Sequence, residues 1–308
     1  MKKRKRKKAA IIIIIMLSIL GICFATREKV ITWILLDVFK VTDKEVNPPK
    51  KNEYYRDWNY KYVKNTDNFS PHNKQEILDI YYTVLNSGVK KFTFYCPKEY
   101  KTCEADIKDI ANNKTTLSTI NNYVHPYNSF RNYETVFDEV GSITLKIEKT
   151  YSKQKQAKIN KIIDKFIKEE IANEKDQNEQ IKKAHDYIIN NTKYDSNKSD
   201  NKNANYDSDT AYGALIQGYA LCGGYSDAMA IILDRLNIKN FKLASDNHIW
   251  NAVYFEDTWY HLDLTWDDPK TKDNSNVLEY NFYMITTEEL NEIKTYYHNY
   301  DKKVYQEL

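Results

Sequence analysis

Only seven of the 308 residues are glycine, and four of them, Gly213, Gly218, Gly223 and Gly224, fall within Ala211–Ile238. A chain so poor in glycine keeps it for tight turns and close backbone approaches. Cys222 sits inside this cluster. Directly after it Ala228, Ile231, Ile232 and Leu236 recur at helical spacing, and Asn237 is a plausible stop. The pattern predicts that Cys222 lies at or just before a helix N-terminus, following a turn. There the positive end of the helix dipole favours a thiolate. The alternative fate of a cysteine is to be a small buried residue, and the glycines around this one argue against it.

A thiol nucleophile needs a base, and the base an orienting partner. Asn247–Phe255 and Thr258–Thr265 are each predicted as strands, with Glu256-Asp257 as a two-residue hairpin loop. Pairing Phe255 with Thr258 sets Trp250 opposite Asp263 and His248 opposite Thr265. His248 and Trp250 share a face because side chains alternate. Asp263 is then the diagonal neighbour of His248, roughly 7–8 Å away and closer at the tips. Spacing alone therefore gives Cys222 as nucleophile, His248 as base and Asp263 as orienter.

The blocks GYALCGGYSDAMAIILDRLNI, NHIWNAVYFEDTWYHLDLTWDDP and KKAHDYIINNTKYD resemble those of the bacterial transglutaminase-like domain, in the same order and rough spacing. The resemblance runs from about Gln154 to the C-terminus. It implies an α+β, papain-like core in which a helix carrying the nucleophile packs on an antiparallel sheet carrying base and acid. It also implies the same three residues, Cys222, His248 and Asp263. That superfamily includes cross-linking enzymes, peptidases, deglycosylating amidases and members without activity.

The N-terminus opens with seven basic residues, Lys2–Lys8, followed by 17 uncharged ones, Ala9–Ala25. As a helix this run measures about 25 Å, just enough to cross a bilayer. The basic flank orients the N-terminus to the cytoplasm and the remainder outside. Two readings fit the run: a single-pass anchor in the cell membrane, or a signal peptide cleaved after Cys23-Phe24-Ala25, which would leave a secreted protein. Without the seven leading charges the net +3 becomes −4, so nothing points to nucleic acid. The partners expected are peptide or protein substrates, cell-wall peptides and surface proteins being accessible, and the membrane through the N-terminal helix. No cofactor or metal is expected.

The expected organisation is a basic tail 1–8, an apolar span 9–25, a linker 26–53, a small α/β accessory region 54–152 and a transglutaminase-like domain 153–308. In the accessory region 76–85 and 105–123 are predicted helices, and 89–96 and 142–150 strands. Cys96 and Cys103 are either a local disulfide or two reduced thiols. Helices are predicted over 153–172 and 178–191, with a polar loop over 196–207. Gln217 is a candidate oxyanion donor because papain-like peptidases use a glutamine upstream of the nucleophile, although the offset here differs; the Cys222 N–H is the other donor. His185 is expected to be structural and His261 to support the site from behind. Asp267 and Asp268 are expected to be turn residues. Two function classes follow: an amide-attacking cysteine enzyme, hydrolysing or transferring to an amine, and a papain-like binding module without turnover.

Overall fold

The computed structural model describes residues 46–308 apart from 139–140, 201–204, 270–276 and 295, together with 26–27, 29–31 and 34. The expected tail 1–8 and span 9–25 lie outside the described residues. Among those described, no helix is long and apolar enough to cross a membrane.

The Asn73 side chain accepts the Glu76 N–H and starts α1, Lys74–Asn86, satisfying an amide that has no partner within the helix. β1, Lys91–Tyr95, follows. The single helix expected over 105–123 is two, α2, Cys103–Asn112, and α3, Lys114–Tyr123. Asn113 divides them: its ψ of 93° leaves the helix, and its side chain accepts the Thr116 N–H to cap α3. An asparagine offers the backbone this alternative to helix continuation. A disulfide joins Cys96 to Cys103, Cα atoms 5.8 Å apart, and ties the end of β1 to the start of α2. β2, Phe130–Phe137, and β3, Ser142–Lys149, complete an antiparallel sheet of order β1-β3-β2.

Ser152 caps α4, Lys153–Phe166, which runs into a π-helical turn over Ile167–Ile171. Asp176 caps α5, Gln177–Asn191. β4, Lys193–Tyr194, pairs in parallel with β5, Tyr219–Ala220. Between them lies a short helix, α6, Ser196–Ser199, in the stretch expected to be loop. Then come α7, Cys222–Arg235, the antiparallel sheet of β6, Asn240–Ala244, β7, Ile249–Phe255, and β8, Thr258–Leu262, and finally α8, Thr287–Ile293.

From Gly224 to Leu233 every residue of α7 is buried. It lies against β6 and β7 on one side and α5 on another, so it is apolar nearly all round. The polar exceptions are Ser226 and Asp227; Asp227 is paired with Lys242 of β6 at 2.5 Å and accepts a hydrogen bond from Tyr151. A buried carboxylate is tolerated when so paired. One core cluster joins Ile80 of α1 and Ile120 of α3 to Phe241, Trp250 and Tyr305; a second joins Ile163 of α4 and Ile188 of α5 to Ile232 and Leu262. The first crosses the expected boundary at 152–153, and the β7–β8 hairpin contributes side chains to both.

Candidate active site

Leu221 is extended, with φ −98° and ψ 177°, and puts no side chain on the first amides of α7. Cys222 is the first residue of that helix, a half-buried free thiol. The glycines have separate reasons. Gly218 ends a π-helical turn over Gly213–Gln217 in the left-handed region, φ 75°, a conformation that costs glycine least. At Gly224 a Cβ would stand 2.3 Å from the Ser208 carbonyl oxygen. That same carbonyl accepts the Leu221 N–H at 2.8 Å, so the chain at Ser208 lies directly on the helix start.

The β7–β8 hairpin has the expected register, Phe255 opposite Thr258 and Ala252 opposite His261. Glu256 and Asp257 are both left-handed, φ 44° and 61°, as a type I′ loop requires. The ladder ends at Asn251–Leu262, earlier than expected. Asp263 leaves it, its N–H donating to the Phe282 carbonyl at 3.1 Å. Its carboxylate nonetheless meets the imidazole: His248 Nε2 lies 2.5 Å from Asp263 Oδ2. The Cys222 thiol and the His248 ring line the same cleft. With Nε2 engaged by Asp263, Nδ1 is the nitrogen left for the thiol. Burial disfavours the imidazolium, but the Asp263 charge and hydrogen bond, helped by Cys222, outweigh it and push His248 up to about 10. Burial also penalises the Asp263 carboxylate, and the two histidines bonded to it hold it well below the usual range all the same. The other oxygen, Oδ1, accepts the Thr265 N–H at 2.9 Å and the Trp266 N–H at 3.4 Å.

The second of those histidines is His298, which the sequence reading missed. Its Nε2 lies 2.7 Å from the same Oδ2. It belongs to a 3₁₀ turn, Tyr296–His298, near the C-terminus. No local pattern marks it; only the folding of the C-terminal segment onto β7 brings it in. Thiol and imidazole open on a cleft of about 310 Å³ walled by Tyr194, Asn247, Trp266, Pro269 and Tyr297.

Other candidates separate cleanly. Gln217 does not line the cleft; its side-chain oxygen accepts the Asp207 N–H at 2.8 Å. His261 Nδ1 accepts from Trp250 Nε1 at 3.0 Å, and the Trp250 ring stacks on His248, centroids 5.5 Å apart. Burial, with the nearby His298, pushes His261 down to about 3. Asp267 and Asp268 lie in a bend after β8, as expected, but both are buried. Asp267 is fully buried, 3.2 Å from His185 Nε2, and accepts the Phe282 N–H at 2.9 Å. Asp268 accepts a hydrogen bond from Tyr225, and burial pushes its carboxyl up to about 6. What a polar pair before proline does not reveal is its partners, His185 and Tyr225, which come from α5 and α7. Among the described residues His248, Asp263 and His298 form a cluster of metal-capable side chains, ligand atoms within 4.8 Å. Both nitrogens already bond one oxygen at hydrogen-bond length, which fits a proton-linked network.

Residues 165–264 match the transglutaminase-like superfamily. The transglutaminase-like segment holds Cys222, His248 and Asp263 and leaves His298 outside it. Among solved structures the chain is similar to one described as a "Crystal structure of a TGase", at 16% identity and TM-score 0.35, covering 47% of this chain and 46% of that one. It is also similar to a "Putative Cysteine Protease from Cytophaga hutchinsonii", at 13% identity and TM-score 0.28, covering 48% of this chain and 65% of that one. The chain thus spans less than two thirds of either relative. None of the curated proteins matches the sequence.

Proposed function

We propose that this protein is an exported cysteine enzyme that attacks amide bonds of peptides or proteins through a thioester. The observation that carries the reading is that Cys222 and His248 line one cleft while His248 is bonded to the buried Asp263, the three drawn from separate segments. In this reading His248 holds a proton near neutral pH and Cys222 is the thiolate. The thiolate attacks the amide carbon, and the electron pair moves onto oxygen, where the Cys222 N–H at the α7 start stabilises it. Collapse expels the nitrogen, which takes the His248 proton, and leaves a thioester beside a neutral imidazole. Water or a lysine amine then attacks, giving its proton to His248 as the thiolate departs. Hydrolysis and cross-linking differ only in that second nucleophile.

Export rests on Lys2–Lys8 and Ala9–Ala25, with the folded part outside the membrane and wall peptides or surface proteins within its reach. An iodoacetamide-type probe on the full chain, read by mass spectrometry, tests the enzyme. Rapid labelling of Cys222, suppressed in His248→Ala, supports it. Labelling at the rate of an ordinary thiol in both proteins would instead favour a binding module.

A further inference from the structure

We propose that His298 is a positioning residue: by sharing the Asp263 oxygen that faces His248, it limits how tightly the carboxylate holds the His248 proton and keeps that proton transferable. The role rests on the reading of Cys222, His248 and Asp263 as the catalytic set.

Two histidines converge on one oxygen atom. Asp263 Oδ2 lies 2.5 Å from His248 Nε2 and 2.7 Å from His298 Nε2, while Oδ1 is held by backbone N–H groups of Thr265 and Trp266. All three side chains are buried, where a hydrogen bond to a charged group matters most. The His298 ring is locked in an aromatic cage, stacked on Phe282 at 4.9 Å and edge-on to Trp250 at 4.7 Å. Its Nδ1 is buried and has no hydrogen-bond partner among the described residues. That pattern belongs to the neutral tautomer with its hydrogen on Nε2; a hydrogen on Nδ1 would be buried without an acceptor. His298 therefore gives Asp263 one donated hydrogen bond. A phenyl ring would fill the cage as well, so shape alone does not call for a histidine there.

Consider the carboxylate without that donor. Its Oδ2 charge would rest on His248 alone, and the imidazolium would be harder to deprotonate. In the thioester-forming step this proton must pass to the departing nitrogen, so a tighter hold slows it. The titratable groups facing this pair are Cys222 from α7, His261 from β8, Asp267 from the turn after β8, and His298 itself.

The test is a histidine titration by NMR on the full chain in detergent micelles, with all six histidines ¹³C- and ¹⁵N-labelled. His298→Phe keeps the ring shape and removes the donor; the His248 midpoint should rise by about one unit, the order expected for one hydrogen bond to a charge. His298→Gln, which keeps an N–H, should return the midpoint to near its wild-type value. A midpoint unmoved or lowered in His298→Phe, with the His185 and His261 signals in place, overturns the proposal. Wild-type ¹⁵N shifts give a second reading that needs no variant to fold: His298 must carry its hydrogen on Nε2, and the opposite tautomer overturns the proposal. No substrate enters either measurement. Absence of turnover would therefore sink the enzyme reading while leaving this result legible.

Discussion

Asp263 is the residue on which the site turns, since two imidazoles and two backbone N–H groups end on its two oxygens. Its pairing with His248 has a defined pH window. The raised histidine contributes stability that is fully present below the ordinary histidine range and is lost as pH rises through about 10. The depressed carboxylate contributes stability that is present above the ordinary carboxylate range and is lost as pH falls through its lowered value. Asp263→Asn should bring the alkaline limb of kcat/KM down from near 10 toward the ordinary histidine range. It should also lower turnover by up to about 10⁴-fold, as a misoriented imidazole does in other triads. A pH profile of the purified variant checks both. Asp267 makes the contrasting case. The sequence marks it only as a turn residue, and in the fold the side chain is buried against His185. Asp267→Ala should reduce unfolding free energy by roughly 3 kcal/mol, measured by urea denaturation. In the fraction that remains folded, Cys222 alkylation should stay close to the wild-type rate.

At the scale of elements, what was legible in the sequence was what local pattern controls. The start of α7 and the hairpin register followed from glycine placement and a two-residue loop, both nearest-neighbour effects. β6 was missed because it is short and its Lys242 looks like a surface residue, whereas in the fold it is buried against Asp227. β2 was missed because polar residues and a register shift between Phe130 and Asn132 break its alternation. His298 was invisible for a stronger reason: its meaning comes entirely from a contact across 35 residues. The close approach at the head of α7 gives a prediction for that element. Gly224→Ala would drive a methyl into the Ser208 carbonyl, and backbone cannot give way as a side chain can. The expected loss is about 1–3 kcal/mol, by denaturant titration, together with slower alkylation of Cys222 as the helix start shifts.

Across the whole molecule, the N-terminal region and the hairpin share one core, and the Arg56–Asp234 ion pair at 2.7 Å adds a buried tie to the C-terminal end of α7. The residues before Lys153 are therefore part of what holds the β6–β8 sheet in place. With the charge pattern of the N-terminus, the proposal places this whole body outside the membrane. Protease added to intact cells should digest it, and protection until the membrane is broken would contradict export. The central claim is that His248 and Asp263 make Cys222 a nucleophile, and the most direct measurement is the alkylation rate of Cys222 against pH in wild type and His248→Ala. The account predicts alkylation at neutral pH much faster than that of an ordinary thiol in the wild type, and a slower reaction in the variant. A wild-type rate no greater than that of an ordinary thiol, unmoved by removing His248, would contradict it.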